Sequence, residues 1–205
     1  MKRVLVYGDS LTWGYKPDES GRYGPEYRWP DVLEAELDGV EVLTEALCGR
    51  TTAYADDSSP ADLNGARILP TVLQSHSPLD AVIFMLGTND ICDGRGVRQA
   101  LRGLKRLVEI VRHQPTRIVS IRDAILLVAP PPLIAGIDPD LGEDLAEESR
   151  VLVGRIAELA EETGTAFFDA STVGTVSRVD GVHFDADLSR DIGLALVGPV
   201  RDLLA

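Results

Sequence analysis

Cysteine, histidine and aromatic residues are scarce in this chain: two cysteines (Cys48 and Cys92), three histidines and 5% aromatics in 205 residues. The cysteines lack the paired spacing of a zinc site or a redox motif, which points to a reduced, cytoplasmic protein with both thiols buried. Three scattered histidines do not suit a catalytic metal, and no metal or cofactor is expected. No apolar run approaches the ~18 to 20 residues needed to cross a bilayer, so a soluble chain without a membrane partner is expected. Lys2 and Arg3 precede only four apolar residues before Gly8, too few for the core of a signal peptide. Neither a Gly-x-Gly-x-x-Gly nor a phosphate-loop lysine motif occurs, which argues against a non-catalytic nucleotide-binding module. Cations are the minority charge, with 20 Lys and Arg against 33 Asp and Glu, a net of -13. The one basic group, Arg95, Arg98, Arg102, Lys105 and Arg106, follows a helix face, so a nucleic-acid partner is not expected. The acidic excess favours solubility and repels anionic substrates.

A hydrophobic content of 44% is enough for a full core, and the length suits one α/β domain over residues 1–205. Strand-like runs recur at Val4 to Tyr7, Val40 to Leu47, Asp80 to Leu86, Ala124 to Ala129 and Thr165 to Asp169. The third is apolar on both faces, as a central parallel strand must be. Helical patterns lie between them. One opens at Trp29-Pro30 and closes at Asp38-Gly39, a second spans about Gly65 to Ser75 with an interruption at Pro70, and a third covers Val97 to Val111. Ile118 to Ile121 reads either as an extension of that helix or as part of a connection. A further helix runs from Glu143 to Thr163 and ends at Gly164, and a last one begins near Asp187 and is kinked or divided at Gly198-Pro199. Strands alternating with helices predict a parallel sheet covered on both faces.

Four of these strand ends or loops carry polar residues that belong at one edge of such a sheet: Ser10, Gly49, Asn89 and His183. Ser10 follows the first strand directly and reads either as a helix cap or as a nucleophile. A serine hydroxyl needs a base within reach and a carboxylate to orient that base. His183 is the best-placed base, because His76 and His113 sit at helix ends. Asp180, three residues earlier, is the preferred orienting group over Asp185 and Asp187, the latter being available to cap the last helix. Asp9, adjacent to Ser10, diverges from it and suits a bond to local backbone. Acyl transfer also requires donors where a carbonyl oxygen becomes negative, and the N–H groups of Ser10 and Gly49 with the Asn89 amide can provide three.

The segments Gly8-Asp9-Ser10-Leu11, Gly49, Gly87-Thr88-Asn89-Asp90 and Asp180-Gly181-Val182-His183 resemble the four ordered sequence blocks of the GDSL, or SGNH, hydrolases. Through Thr12-Trp13-Gly14, Arg28-Trp29, Arg50-Thr51-Thr52, Leu63-Asn64-Gly65-Ala66 and Pro130-Pro131-Pro132-Leu133 the chain is similar to the bacterial arylesterase, acyltransferase and perhydrolase branch. The resemblance implies a flavodoxin-like three-layer α/β/α sandwich on a five-stranded parallel sheet, a Ser10, His183, Asp180 triad and an oxyanion hole of Ser10, Gly49 and Asn89. It also implies a cofactor-free esterase for small carboxylic esters such as short-chain or aryl acetates, with transfer to alcohols or peroxide as an extension. A thioesterase or a carbohydrate acetylesterase is the alternative on the same site. Leu11, Trp13, Tyr15 and Val182 are expected around the acyl pocket, and a homo-oligomer stays open because relatives often assemble.

Overall fold

The computed structural model describes residues 1–56, 58–114 and 123–205. In chain order the described elements are β1 (Lys2–Gly8), α1 (Ser10–Trp13), α2 (Trp29–Ala35), β2 (Val40–Ala46), α3 (Gly65–Ser75), β3 (Ala81–Met85), α4 (Thr88–Cys92) and α5 (Val97–Arg112). They continue with β4 (Ile125–Ala129), α6 (Glu143–Thr163), β5 (Ala166–Asp169), a 3-10 turn (Ala170–Thr172), α7 (Ala186–Ala195) and α8 (Val197–Leu204). The strands form an all-parallel sheet in the order β2-β1-β3-β4-β5, the flavodoxin-like arrangement.

Alternating side chains of the strands feed two cores. Leu5, Tyr7, Val82, Phe84, Ile125 and Leu127 pack under α3, α5 and α6, whereas Val4, Val6, Ile83, Met85, Leu126 and Val128 pack under α2, α7 and α8. Both faces being covered, the central strands must be apolar throughout, and every residue of β3 and β4 is buried.

The register positions the site. Gly8 is level with Ala46 on one side and Met85 on the other, so β2, β1 and β3 end together. The turns that follow them, carrying Gly49, Ser10 and Asn89, therefore emerge side by side at the carboxyl edge.

Several local expectations change. Pro70 does not interrupt α3, which runs through it. An interior proline costs ~3 kcal/mol, but Leu69, Val72 and Leu73 on the same helix are buried, each contributing ~1.5 to 3 kcal/mol. The last helix divides at Leu196, upstream of Gly198-Pro199. Pro199 falls in the first turn of α8, where its missing N–H has no intrahelical partner to lose. Asp185, not Asp187, occupies the cap position of α7, and Asp187 lies in the first turn, where a negative charge favours the helix dipole. Helix α2 stops at Ala35, before Asp38-Gly39. The thiols are not both buried: Cys48 is half-buried at the end of β2, and Cys92 is exposed at the end of α4. Ile118 to Ile121 lies outside the described residues. No helix among the described residues is long and apolar enough to cross a membrane.

Candidate active site

Ser10 opens α1 directly after β1. The cap position belongs to Asp9, whose Oδ1 accepts a hydrogen bond from the Leu11 N–H at 3.0 Å. With the capping role filled by its neighbour, the Ser10 hydroxyl is free for other contacts. It lies 2.9 Å from His183 Nε2, across 173 residues of sequence. On the far side of the ring, His183 Nδ1 is 2.6 Å from Asp180 Oδ2. A neutral imidazole between these partners donates from Nδ1 to the carboxylate and accepts from the serine at Nε2.

The turn carrying His183 is itself pinned. Asp180 Oδ1 accepts from the Val182 N–H at 2.9 Å and from the His183 N–H at 3.0 Å. The Ser177 N–H donates to the His183 carbonyl at 2.7 Å, and the Ile134 N–H to the Gly181 carbonyl at 2.9 Å. The Tyr15 ring packs against the imidazole at 4.6 Å between centroids. The other histidines stand elsewhere: His76 ends α3 with its Nε2 2.6 Å from Glu45 Oε1, and His113 ends α5.

Gly49 has φ of +80°, which an L side chain rarely adopts, and a Cβ there would lie 3.1 Å from Leu63 Cδ1. The glycine is thus required by the backbone turn that aims its N–H, and not only by clearance for an incoming ligand. Asn89 Nδ2 donates to the Arg50 carbonyl at 3.0 Å and lies 3.4 Å from Asp9 Oδ2. Arg50 is buried, its Nη1 donating to the Gly8 carbonyl at 2.9 Å and its guanidinium 4.0 Å from the Tyr7 ring centroid. Burial pushes the fully buried Asp9 carboxyl up to about 7, against the opposing effects of the Leu11 N–H and the Arg50 charge. Asp90 is also raised by burial, opposed by its hydrogen bonds from Thr52.

A cavity of about 470 Å³ opens over Ser10, Gly49, Asn89 and His183. Tyr15 and Val182 border it, but Leu11 and Trp13 do not. Leu11 is only 2% exposed and joins the core beneath Trp29, because the helical turn after Ser10 rotates it away from the cavity. Trp13 stands behind Tyr15, 6.3 Å between centroids, with the Arg22 guanidinium over its ring. Three bordering residues are not among those expected from the sequence: Glu19, Cys48 and Asp138. Adjacency to Gly49 marks Cys48, whereas Glu19 and Asp138 come from loops with no periodicity. Among the described residues, a groove of similar volume between α5 and α6, lined by Val97, Leu101, Arg102 and Leu159 among others, contains no serine, cysteine or histidine. No group of three or more His, Cys, Asp or Glu side chains among the described residues is arranged to hold a metal ion.

The chain as a whole is similar to several solved structures. A putative arylesterase from Agrobacterium tumefaciens is 50% identical, with each chain covered over 100% of its length and a TM-score of 0.90. A structure described as a carbohydrate acetylesterase family member from Sinorhizobium meliloti is 42% identical, with 100% of this chain and 99% of that one covered and a TM-score of 0.91. The aryl esterase of M. smegmatis is 38% identical over 100% of both chains, with a TM-score of 0.91. No curated protein matches the chain. Residues 6–192 match the GDSL-like lipase/acylhydrolase family, a span that contains Ser10, Gly49, Asn89, Asp180 and His183, and the chain belongs to that family.

Proposed function

We propose that the protein is a serine carboxylic ester hydrolase acting on small, uncharged esters such as short-chain or aryl acetates. The observation that most supports this reading is the continuous contact from Asp180 Oδ2 through His183 to Ser10 Oγ, at 2.6 and 2.9 Å. Ser10 Oγ attacks the ester carbonyl carbon as its proton passes to His183 Nε2. Asp180 holds the ring and stabilises the imidazolium. Negative charge gathers on the carbonyl oxygen, where the N–H groups of Ser10 and Gly49 receive it, joined by the Asn89 amide hydrogen that turns to it from the long 3.4 Å contact with Asp9 Oδ2. The intermediate collapses, the C–O bond to the alcohol breaks, and His183 returns its proton to the leaving oxygen. Water, activated by the same imidazole, then adds to the acyl-enzyme and releases the acid and Ser10. An alcohol or peroxide in place of that water gives acyl transfer.

Replacing Ser10 by Ala tests the assignment: p-nitrophenyl acetate turnover is expected to fall ~10⁶-fold, and retention within tenfold of the parent sinks it. Acetylated carbohydrate is the second reading, favoured by the 42% identical relative described as a carbohydrate acetylesterase family member. Coenzyme A thioesters fit less well, because among the described residues Glu19, Asp138 and Asp180 border the cavity and no lysine or arginine does. Parallel assays on aryl acetates, acetylated sugars and acetyl thioesters separate the three. A reducing, cytoplasmic setting belongs to the same proposal, since Cys48 and Cys92 are both free thiols.

A further inference from the structure

The three hydrogen-bond donors assigned to the oxyanion come from three separate turns, and backbone ladders end before any of them. Their spacing must be set by bonds made beyond the strands. One such bond joins the turns after β2 and β3. Asp90, next to Asn89 on α4, is fully buried and grips Thr52, three residues past Gly49. The Thr52 N–H donates to Asp90 Oδ2 at 2.9 Å and the Thr52 hydroxyl to Asp90 Oδ1 at 2.6 Å. Both carboxylate oxygens are used, so the pair is fixed in rotation as well as in distance.

A third element seats this pair. Gly103 of α5 faces Thr52 so closely that a Cβ on it would fall 1.9 Å from Thr52 Oγ1. The threonine therefore has α5 behind it and Asp90 ahead, and neither contact is exposed. Between the two anchored residues, the Arg50 carbonyl receives one Asn89 Nδ2 hydrogen at 3.0 Å. Moving the 49–52 turn relative to α4 thus displaces the Gly49 N–H and the Asn89 amide at once.

We propose that Thr52 and Asp90 are positioning residues for ester hydrolysis, a clamp that sets the separation of the Gly49 and Asn89 donors without touching substrate. The inference rests on the serine hydrolase reading above. A misplaced donor weakens binding of the developing oxyanion but leaves the ground-state ester, held by the cavity walls, nearly as well bound. The loss belongs in kcat and not in KM.

The test is steady-state hydrolysis of p-nitrophenyl acetate by the full chain, with the parent, T52V, T52S and D90N compared well below their measured Tm values. T52V removes the hydroxyl bond at nearly constant volume, and D90N removes the charge from both bonds and forces the Thr52 hydroxyl to reverse its role or lose its partner. Each is expected to lower kcat ~10- to 100-fold with KM within about threefold of the parent. T52S retains the hydroxyl and is expected to recover most of what T52V loses. If T52V does not fold, T52A and D90N provide the same reading. Folded variants that keep the parent kcat within twofold overturn the proposal, as does a T52S that loses as much as T52V, or a loss carried by KM alone. A parent that fails to hydrolyse the ester, or that S10A leaves active, overturns the hydrolase reading instead, so the two failures are distinct.

Discussion

On the sheet-edge side of the site, polar groups are tied to buried partners: Asp9 to Leu11, Asp90 to Thr52, Asn89 and Arg50 to main-chain carbonyls. On the opposite side, the loops carrying Glu19 and Asp138 present exposed carboxylates to the same cavity. Asp180 and His183 stand between, part-buried and tied mainly by their own turn. Burial makes the first region expensive to alter and suits it to fixing atoms in place. Exposure makes the second inexpensive to alter, so its charges bias which ligands arrive and do little to the fold.

The comparison is broken most severely at the hinge between the two regions. Asp180→Asn keeps the shape of the side chain but removes the charge that holds the imidazole in its donating tautomer. It is expected to reduce kcat ~10⁴-fold, measured with p-nitrophenyl acetate across pH 6 to 9. Asn89→Ala removes one donor on the sheet-edge side and is expected to lower kcat ~10²- to 10³-fold with little change in KM. Equal losses in kcat/KM arising from KM alone contradict its assigned role.

Asp9 sharpens the comparison through pH. Its folded-state pKa of about 7 lies above the ~3.9 of an unfolded aspartate, so the native chain holds the extra proton between these values. The contribution to stability is full below about pH 4 and is lost as pH rises through about 7. Asp9→Asn keeps a capping oxygen and removes the titration. Urea melts at pH 5 and pH 8 are expected to show the parent losing about 2 to 3 kcal/mol relative to the variant, ~1.4 kcal/mol for each pH unit between 5 and the folded pKa. A parent and variant with parallel pH profiles contradict the buried, proton-holding Asp9.

The exposed side gives the smallest effects. Glu19→Gln with Asp138→Asn is expected to raise kcat/KM for a negatively charged aryl acetate a few-fold while leaving the neutral ester unchanged. The gain fades in 1 M salt, where the screening length is about 3 Å. A gain that persists at high salt assigns these residues a steric role instead.

Legibility in the sequence follows the same division. The strands and the amphipathic α5 and α6 are written in local patterns of two and 3.6 residues, and they form within a residue or two of their expected bounds. The division of the last helix was legible from Gly198-Pro199, although it falls at Leu196, which puts the proline in the first turn of α8. The continuity of α3 through Pro70 was not legible, because packing on the sheet outweighed the local breaker. Leu11 and Trp13 do not border the cavity, because proximity to Ser10 in sequence does not determine rotation around a one-turn helix.

The alternation of strands and helices, the candidate serine, histidine and aspartate, and the glycine and asparagine beside them follow from residue type and short-range spacing. That β2, β1 and β3 end level, that Thr52 meets Asp90, and that Glu19 and Asp138 border the cavity are consequences of packing. Those contacts join residues tens of positions apart, and the burial that selects among such pairings exists only once the sheet has closed over both cores.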